Sequence, residues 1–283
     1  MEIRNIFKVS AITTALVLAG CGGDININEG DEVVTTPTTP TTPTTPTTPT
    51  TPDVDTPFSL GFATDVSSEF SGTITDKPVY RLDTDLTITQ DMTLTNDAHW
   101  IIKGRTAVGN DNADAAVLTI QEGTTVIGED GDDFLVVRRG SQIDASGTSS
   151  APIVMTSVQD VTGEETSIGQ WGGVVLLGNA PTNLCNTGDD ADTSDEELAN
   201  CGVSAEGDAG LYGGNNPEDN SGTLEYVVVK HAGKALASGD ELNGISFAGI
   251  GSGTTVNYIQ VHQNLDDGIE FFGGTVNVSN VVL

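Results

Sequence analysis

Asp266, Asp267 and Glu270 form the most enzyme-like cluster in the chain. Glycoside hydrolysis needs two carboxylates, one as acid and the other as base or nucleophile. Neighbouring residues on a strand point to opposite faces, so Asp266 and Asp267 converge only if they lie in a turn. Asp266-Asp267-Gly268 also has the composition of a plain turn, and that is the preferred reading. Calcium is a better candidate than catalysis, because hard cations take roughly six to eight oxygen ligands. Oxygen-rich turns occur at Asp130-Gly131-Asp132-Asp133, at Asp189-Asp190-Ala191-Asp192 and from Asn215 to Asn220. None matches an EF-hand: a loop begun at Asp190 puts Asp195 where glycine is needed and Cys201 where the bidentate Glu belongs. The competing reading is of solvated acidic loops. His99, His231 and His262 lack zinc-ligand spacing and read as surface residues. No Ser-His-Asp arrangement, phosphate-binding loop or basic-aromatic stripe stands out.

The elements that must position such groups are short strands. Thr223-Leu-Glu-Tyr-Val-Val-Val229 is echoed by Thr255-Val-Asn-Tyr-Ile-Gln-Val261 and again from Thr275 to Val281. Each phrase alternates apolar and polar residues and then breaks at Gly, Asn or Asp, so the repeated unit is strand plus turn. Recurrence of this kind marks a chain that stacks on itself as a parallel β-solenoid. Leu118–Val126 aligns without a gap on Leu135–Ile143, which predicts that Gly123 lies under Gly140 and Glu122 beside Arg139. Asn257 and Asn277 are expected to stack as an amide ladder. A β-sandwich is the runner-up fold, disfavoured by the gapless match.

Composition narrows the partners. The formal charge of −31 makes nucleic acid a poor one. Beyond Ala151 the only basic residues are Lys230 and Lys234, so that half would repel anionic lipids and acidic glycans unless a divalent cation intervenes. Aromatic residues make up only 5% of the chain, so the core must be aliphatic.

The first twenty residues carry Arg4 and Lys8, then an apolar run too short to span a bilayer and suited to an export signal. The run ends Leu18-Ala19-Gly20-Cys21, which resembles the box of a bacterial lipoprotein signal at all four positions. That resemblance implies cleavage before Cys21 and its lipidation, giving stable anchoring by several acyl chains. Gly22 and Gly23 follow where an Asp would imply inner-membrane retention, so the outer membrane is the expected address. Residues 21–53 include Thr-Thr-Pro triplets from Thr35 to Pro52, an extended, disordered stalk of about 56 Å at roughly 3.1 Å per residue. With Cys21 assigned to lipid, Cys185 and Cys201 make an even pair in an oxidising compartment, and a disulfide is expected.

Residues 54–283 form the domain, with an N-terminal cap through Tyr80 and an acidic insertion at 182–217. Ser194-Asp-Glu-Glu197 predicts one short helix inside that insertion. The apolar finish at Leu283 predicts that more chain follows, or that another chain covers the end.

Leu118–Ile127, Leu135–Ile143 with Ala151-Pro-Ile-Val-Met-Thr156, Trp171–Pro181 and Asp266–Gly274 together resemble a group of exported bacterial proteins. Membership implies a right-handed parallel β-helix, related in architecture to pectate lyases, and implies no activity. β-Helical polygalacturonases place neighbouring aspartates on a coil surface, but they also need a Gly-His-Gly histidine and a downstream basic pair, which this sequence does not show. The expected function is therefore non-enzymatic: an outer-membrane-anchored β-helix serving structure, adhesion, or binding of a glycan or envelope protein. The alternative is a calcium-assisted polysaccharide lyase or glycoside hydrolase with part of its site beyond residue 283.

Overall fold

The computed structural model describes residues 54–185, 195–237 and 240–283. The chain winds as a parallel β-helix whose strands fall on three faces. Face one is a six-stranded sheet that stacks Thr87–Ile88, Arg105–Val108, Phe134–Val137, Gly173–Leu177, Ile245–Ala248 and Ile269–Phe272. Face two stacks Met92–Leu94, Val117–Ile120 and Gln142–Ser146, and face three stacks Val79–Leu82, His99–Ile102, Thr125–Gly128 and Ile153–Ser157. Gly222–Lys230 then runs across both faces, its first half pairing Gln142–Ser146 and its second half Ile153–Ser157. Thr255–His262 and Asn277–Val282 stack on it in turn. These long strands bend where their register skips one residue, at Tyr226, Tyr258 and Asn280, each with φ near the left-handed region (49°, 53° and 53°).

Alternation along each strand fills the interior with apolar columns, mostly aliphatic; Trp100, Trp171 and Phe247 are also fully buried, which corrects the expectation of a purely aliphatic core. One runs Ile88, Val108, Val137, Leu176, Phe247 up face one; another runs Trp100, Val126, Met155, Val229, Val261 up face three. All of these side chains are buried, and each contributes about 1.5–3 kcal/mol of apolar transfer. Between the terminal coils each strand's backbone pairs with the coils above and below, which meets the hydrogen-bonding demand that burial imposes.

Face one is apolar on its outer side as well. Val136, Val175, Leu177 and Ala248 point away from the interior and are buried under Ala209, Tyr212 and Leu242. The insertion thus does more than interrupt the coils: its Val203–Ser204 and Leu211–Tyr212 hairpin covers that sheet. On face three, the short helices Ser67–Phe70 and Val158–Thr162 cover Val79, Ile101 and Ile127 in the same way. The N-terminal segment adds an antiparallel strand, Ala63–Asp65, against Val79–Leu82.

The stacking corrects three expectations. Leu118 lies between Met92 and Ile143 on face two, whereas Leu135 lies between Thr106 and Val174 on face one. The nine-residue match, offset by seventeen, therefore relates faces two and three of one coil to faces one and two of the next, because strands on every face share one grammar of inward apolar residues and a glycine turn. Glu122 consequently does not meet Arg139, which is buried and paired with Asp111. Gly123 donates to Ala151 O, while Gly140 lies against Asn112. Asn277 stacks on Thr255, not Asn257; the ladder that forms joins Asn257 to Ser279 (2.9 Å) and Asn280 (2.7 Å).

Candidate functional site

A cleft of about 480 Å³ opens along face one, where three successive coils enter their strands. Register pairs Arg105 with Phe134 on the second and third of those coils, and Asp85 lies two residues before the first face-one strand. The chain must turn sharply to enter each strand, and at the second coil Gly104 does so at φ +63°. A Cβ there would overlap Asp85 Oδ1, which accepts the Arg105 N–H at 2.9 Å, so both backbone conformation and space call for glycine.

Asp133 holds the third coil to the second. Its carboxylate is buried and accepts the N–H of Gly104 (2.6 Å), Glu129 (2.9 Å) and Asp130 (3.0 Å). Burial raises its pKa and outweighs those bonds, which act in the opposite direction. The Lys103 ammonium lies 2.6 Å from Asp130 Oδ2 and 3.6 Å from Asp133 Oδ1. The Asp130 hydrogen bond raises the Lys103 pKa, and the same contact lowers that of Asp130. Arg105 Nη1 reaches across the cleft to the carbonyl of Asp208 at 2.6 Å, with Asp208 Oδ2 at 3.5 Å. Leu236, half-buried, supplies apolar surface beside these pairs, with the buried Phe134 behind it.

This arrangement can bind a polyhydroxylated ligand: fixed charges offer donors and acceptors next to an apolar patch. It is poorly made for catalysis. A general base needs a pKa near the working pH, and Lys103 is held protonated. Asp133 has the raised pKa of a general acid, but both of its oxygens are engaged by backbone amides.

The calcium candidates Asp130, Asp132 and Asp133 are engaged within the protein by the same geometry. Lys103 pairs with Asp130, Asp133 faces backbone N–H groups, and Asp130 Oδ1 accepts the Asp132 N–H at 3.1 Å. Among the described residues no three His, Cys, Asp or Glu side chains converge to hold a metal ion. Asp189, Asp190 and Asp192 lie outside the described residues, as do Cys21, its box and the Thr-Pro stalk.

Asp266 and Asp267 occupy an exposed bend, with their carbonyls accepting from Asn264 Nδ2 at 3.2 and 2.7 Å. Glu270 follows on face one and accepts from Asn243 Nδ2 at 2.7 Å. Burial raises the Glu270 pKa, and the charges of Asp267 and Asp266 add to the rise. Cys185 and Cys201 are joined by a disulfide, with Cα atoms 5.6 Å apart. Asp195–Ala199 is helical.

The histidine expectation holds only for His262. His99 and His231 are buried. His99 Nε2 sits 3.2 Å from Asp76 Oδ1, and His231 lies under the Asp160–Lys230 pair with its pKa lowered, chiefly by burial. Strand ends on this fold are covered by the next coil, which a count of polar residues does not reveal.

Sequence reasoning missed Lys103, Arg105 and Asp208. The available signal was the clustering of cations: of ten Lys and Arg in the chain, Lys103, Arg105, Arg138 and Arg139 all fall within a short stretch flanking face one. What could not be read was the contact from Arg105 to Asp208, which depends on how the insertion folds back.

A comparison against family models matches residues 86–283 to the Pectate-lyase like beta helix domain. The chain belongs to this family. The match starts at Leu86, at the first face-one strand, and covers the coils that build the cleft. No curated protein and no solved structure matches this pectate-lyase-like chain.

Proposed function

We propose that this protein is a non-catalytic glycan-binding β-helix, displayed at the outer membrane by lipid on Cys21. The observation that carries the binding role is the face-one cleft, where Lys103–Asp130 and Arg105–Asp208 flank Phe134 and Leu236. Each cation there is matched by a carboxylate, which suits the hydroxyls of a neutral glycan better than an anion. Anchoring rests on the lipobox and the stalk. Among the described residues, no helix is long and apolar enough to cross a membrane.

The test is a glycan array followed by sugar-release assays on every glycan that binds. Binding without release, weakened by Arg105→Ala, supports the proposal; sugar release would overturn its non-catalytic part. Membrane fractionation of wild type and Cys21→Ser tests the anchor, and equal retention of both would refute it.

A hydrolase is the second reading, favoured by one observation. Glu270 is pushed toward its protonated form beside Asp266 and Asp267, a combination that can divide acid and base roles. Turnover abolished by Asp267→Asn would establish it.

A further inference from the structure

We infer that Tyr226 and Tyr258 are a site of oxidative coupling, where a one-electron oxidant of the peroxidase class joins their rings as dityrosine. This inference is independent of the glycan-binding role. The two residues hold equivalent places on successive coils, between the register pairs Glu225–Asn257 and Val227–Ile259. Each has left-handed backbone, φ 49° and 53°, at the bend between faces two and three, so both rings leave their strands in the same direction. The roughly 4.8 Å spacing of neighbouring strands keeps them in contact. They stack with centroids 4.3 Å apart and planes only 6° from parallel. Their hydroxyls are hydrogen-bonded to one another, so the rings point the same way and their ortho carbons come together.

The surroundings direct oxidation to this pair. The chain has four tyrosines. Tyr80 packs against Phe58 and Trp100, and Tyr212 is buried beside Phe272. Among the described residues both methionines and both tryptophans are also buried. Tyr258, by contrast, is 43% exposed, and the pair lines an open groove of about 360 Å³ with Pro152, Val228 and Gln260. An oxidant reaches the rings from that groove. Each phenol gives up one electron and its hydroxyl proton, and with hydrogen peroxide as the terminal oxidant these convert one peroxide into two waters. The two phenoxyl radicals form one carbon–carbon bond between ortho carbons, and the hydrogens on those carbons move to the oxygens to restore both phenols. The product staples Gly222–Lys230 to Thr255–His262 and has lost two hydrogen atoms.

The test treats the intact protein, at high dilution, with a haem peroxidase and one equivalent of hydrogen peroxide, beside Tyr258→Phe and Tyr80→Phe. Phenylalanine keeps each ring contact and removes the hydroxyl that is oxidised, so both variants should fold. Wild type and Tyr80→Phe should gain dityrosine fluorescence and remain single chains on denaturing gels. Peptide mass spectrometry of both should show one cross-linked pair, Tyr226 with Tyr258, lighter by two hydrogens. Tyr258→Phe should lose that cross-linked pair and the fluorescence. Covalent dimers in place of the internal link would overturn the inference, as would coupling in Tyr258→Phe at the wild-type level or no coupling in the wild type.

Discussion

Replacing Gly104 by alanine tests whether the cleft is built as described, and Gly163→Ala supplies its control. Both glycines have left-handed backbone, with φ +63° and +74°. An alanine forced into that region costs about 1–2 kcal/mol. At Gly163 nothing lies within 4 Å of the added methyl group, so that strain is the whole native-state effect. At Gly104 the methyl group also displaces the Asp85 carboxylate, which accepts the Arg105 N–H. Loss of a hydrogen bond to a charged group adds about 1.5–3 kcal/mol. The stabilisation that alanine gains by restricting the unfolded chain, about 0.4–1 kcal/mol, is common to both variants and cancels in their difference. Urea unfolding with unchanged m-values should therefore show Gly104→Ala to be the less stable by about 1.5–3 kcal/mol. Glycan affinity should fall in Gly104→Ala alone. Equal midpoints for the two variants would refute the close approach of Asp85 to Gly104 on which the cleft geometry depends.

Other consequences follow from the same structure. Cys185→Ser with Cys201→Ser removes a cross-link between residues 16 apart and should cost about 3 kcal/mol, seen as faster proteolysis within residues 203–212 while far-ultraviolet dichroism persists. Val175→Asp buries an unpaired carboxylate under the insertion, and a loss of several kcal/mol is expected in urea unfolding; tolerance of the change would mean that outer face is not covered. Because the Asp130 pKa is lowered below 3.8, the contribution of its pair with Lys103 is present above that pH and lost as pH falls through the lower folded-state value. The raised Lys103 pKa keeps the pair intact below 10.5, and its contribution is lost as pH rises through the higher folded-state value. Asp133 lines the same cleft with its pKa raised above 3.8, so glycan binding followed across pH should be flat from above the Asp133 transition up to the Lys103 limit, and a second transition within that range would contradict the assignment.

Strand grammar was legible because burial enforces it residue by residue: Leu118, Ile120, Ile143 and Val256 alternate with polar neighbours wherever they lie on the solenoid. Which strand lies over which was not legible in the same way. Leu118 and Leu135 occupy similar strands on different faces, and only the closure of a whole coil, with its variable turns, assigns Leu118 to Ile143. The insertion's acidic composition suggested a solvated excursion, yet Ala209 and Tyr212 are the residues that bury the outer side of face one. Two apolar side chains among many acidic ones decide where that segment packs. The acidic turn at Asp130–Asp133 was visible, but its role was not. Lys103 lies on the preceding coil, and the distance between the two in sequence conceals an ion pair of 2.6 Å.

The most direct test of the account is amide hydrogen exchange of the intact protein with and without a saturating glycan. Binding at the face-one cleft predicts added protection at residues 103–105, 130–134 and 207–208, with residues 264–270 unchanged and no sugar released. Protection concentrated at residues 264–270, together with shortened glycan products, would contradict it.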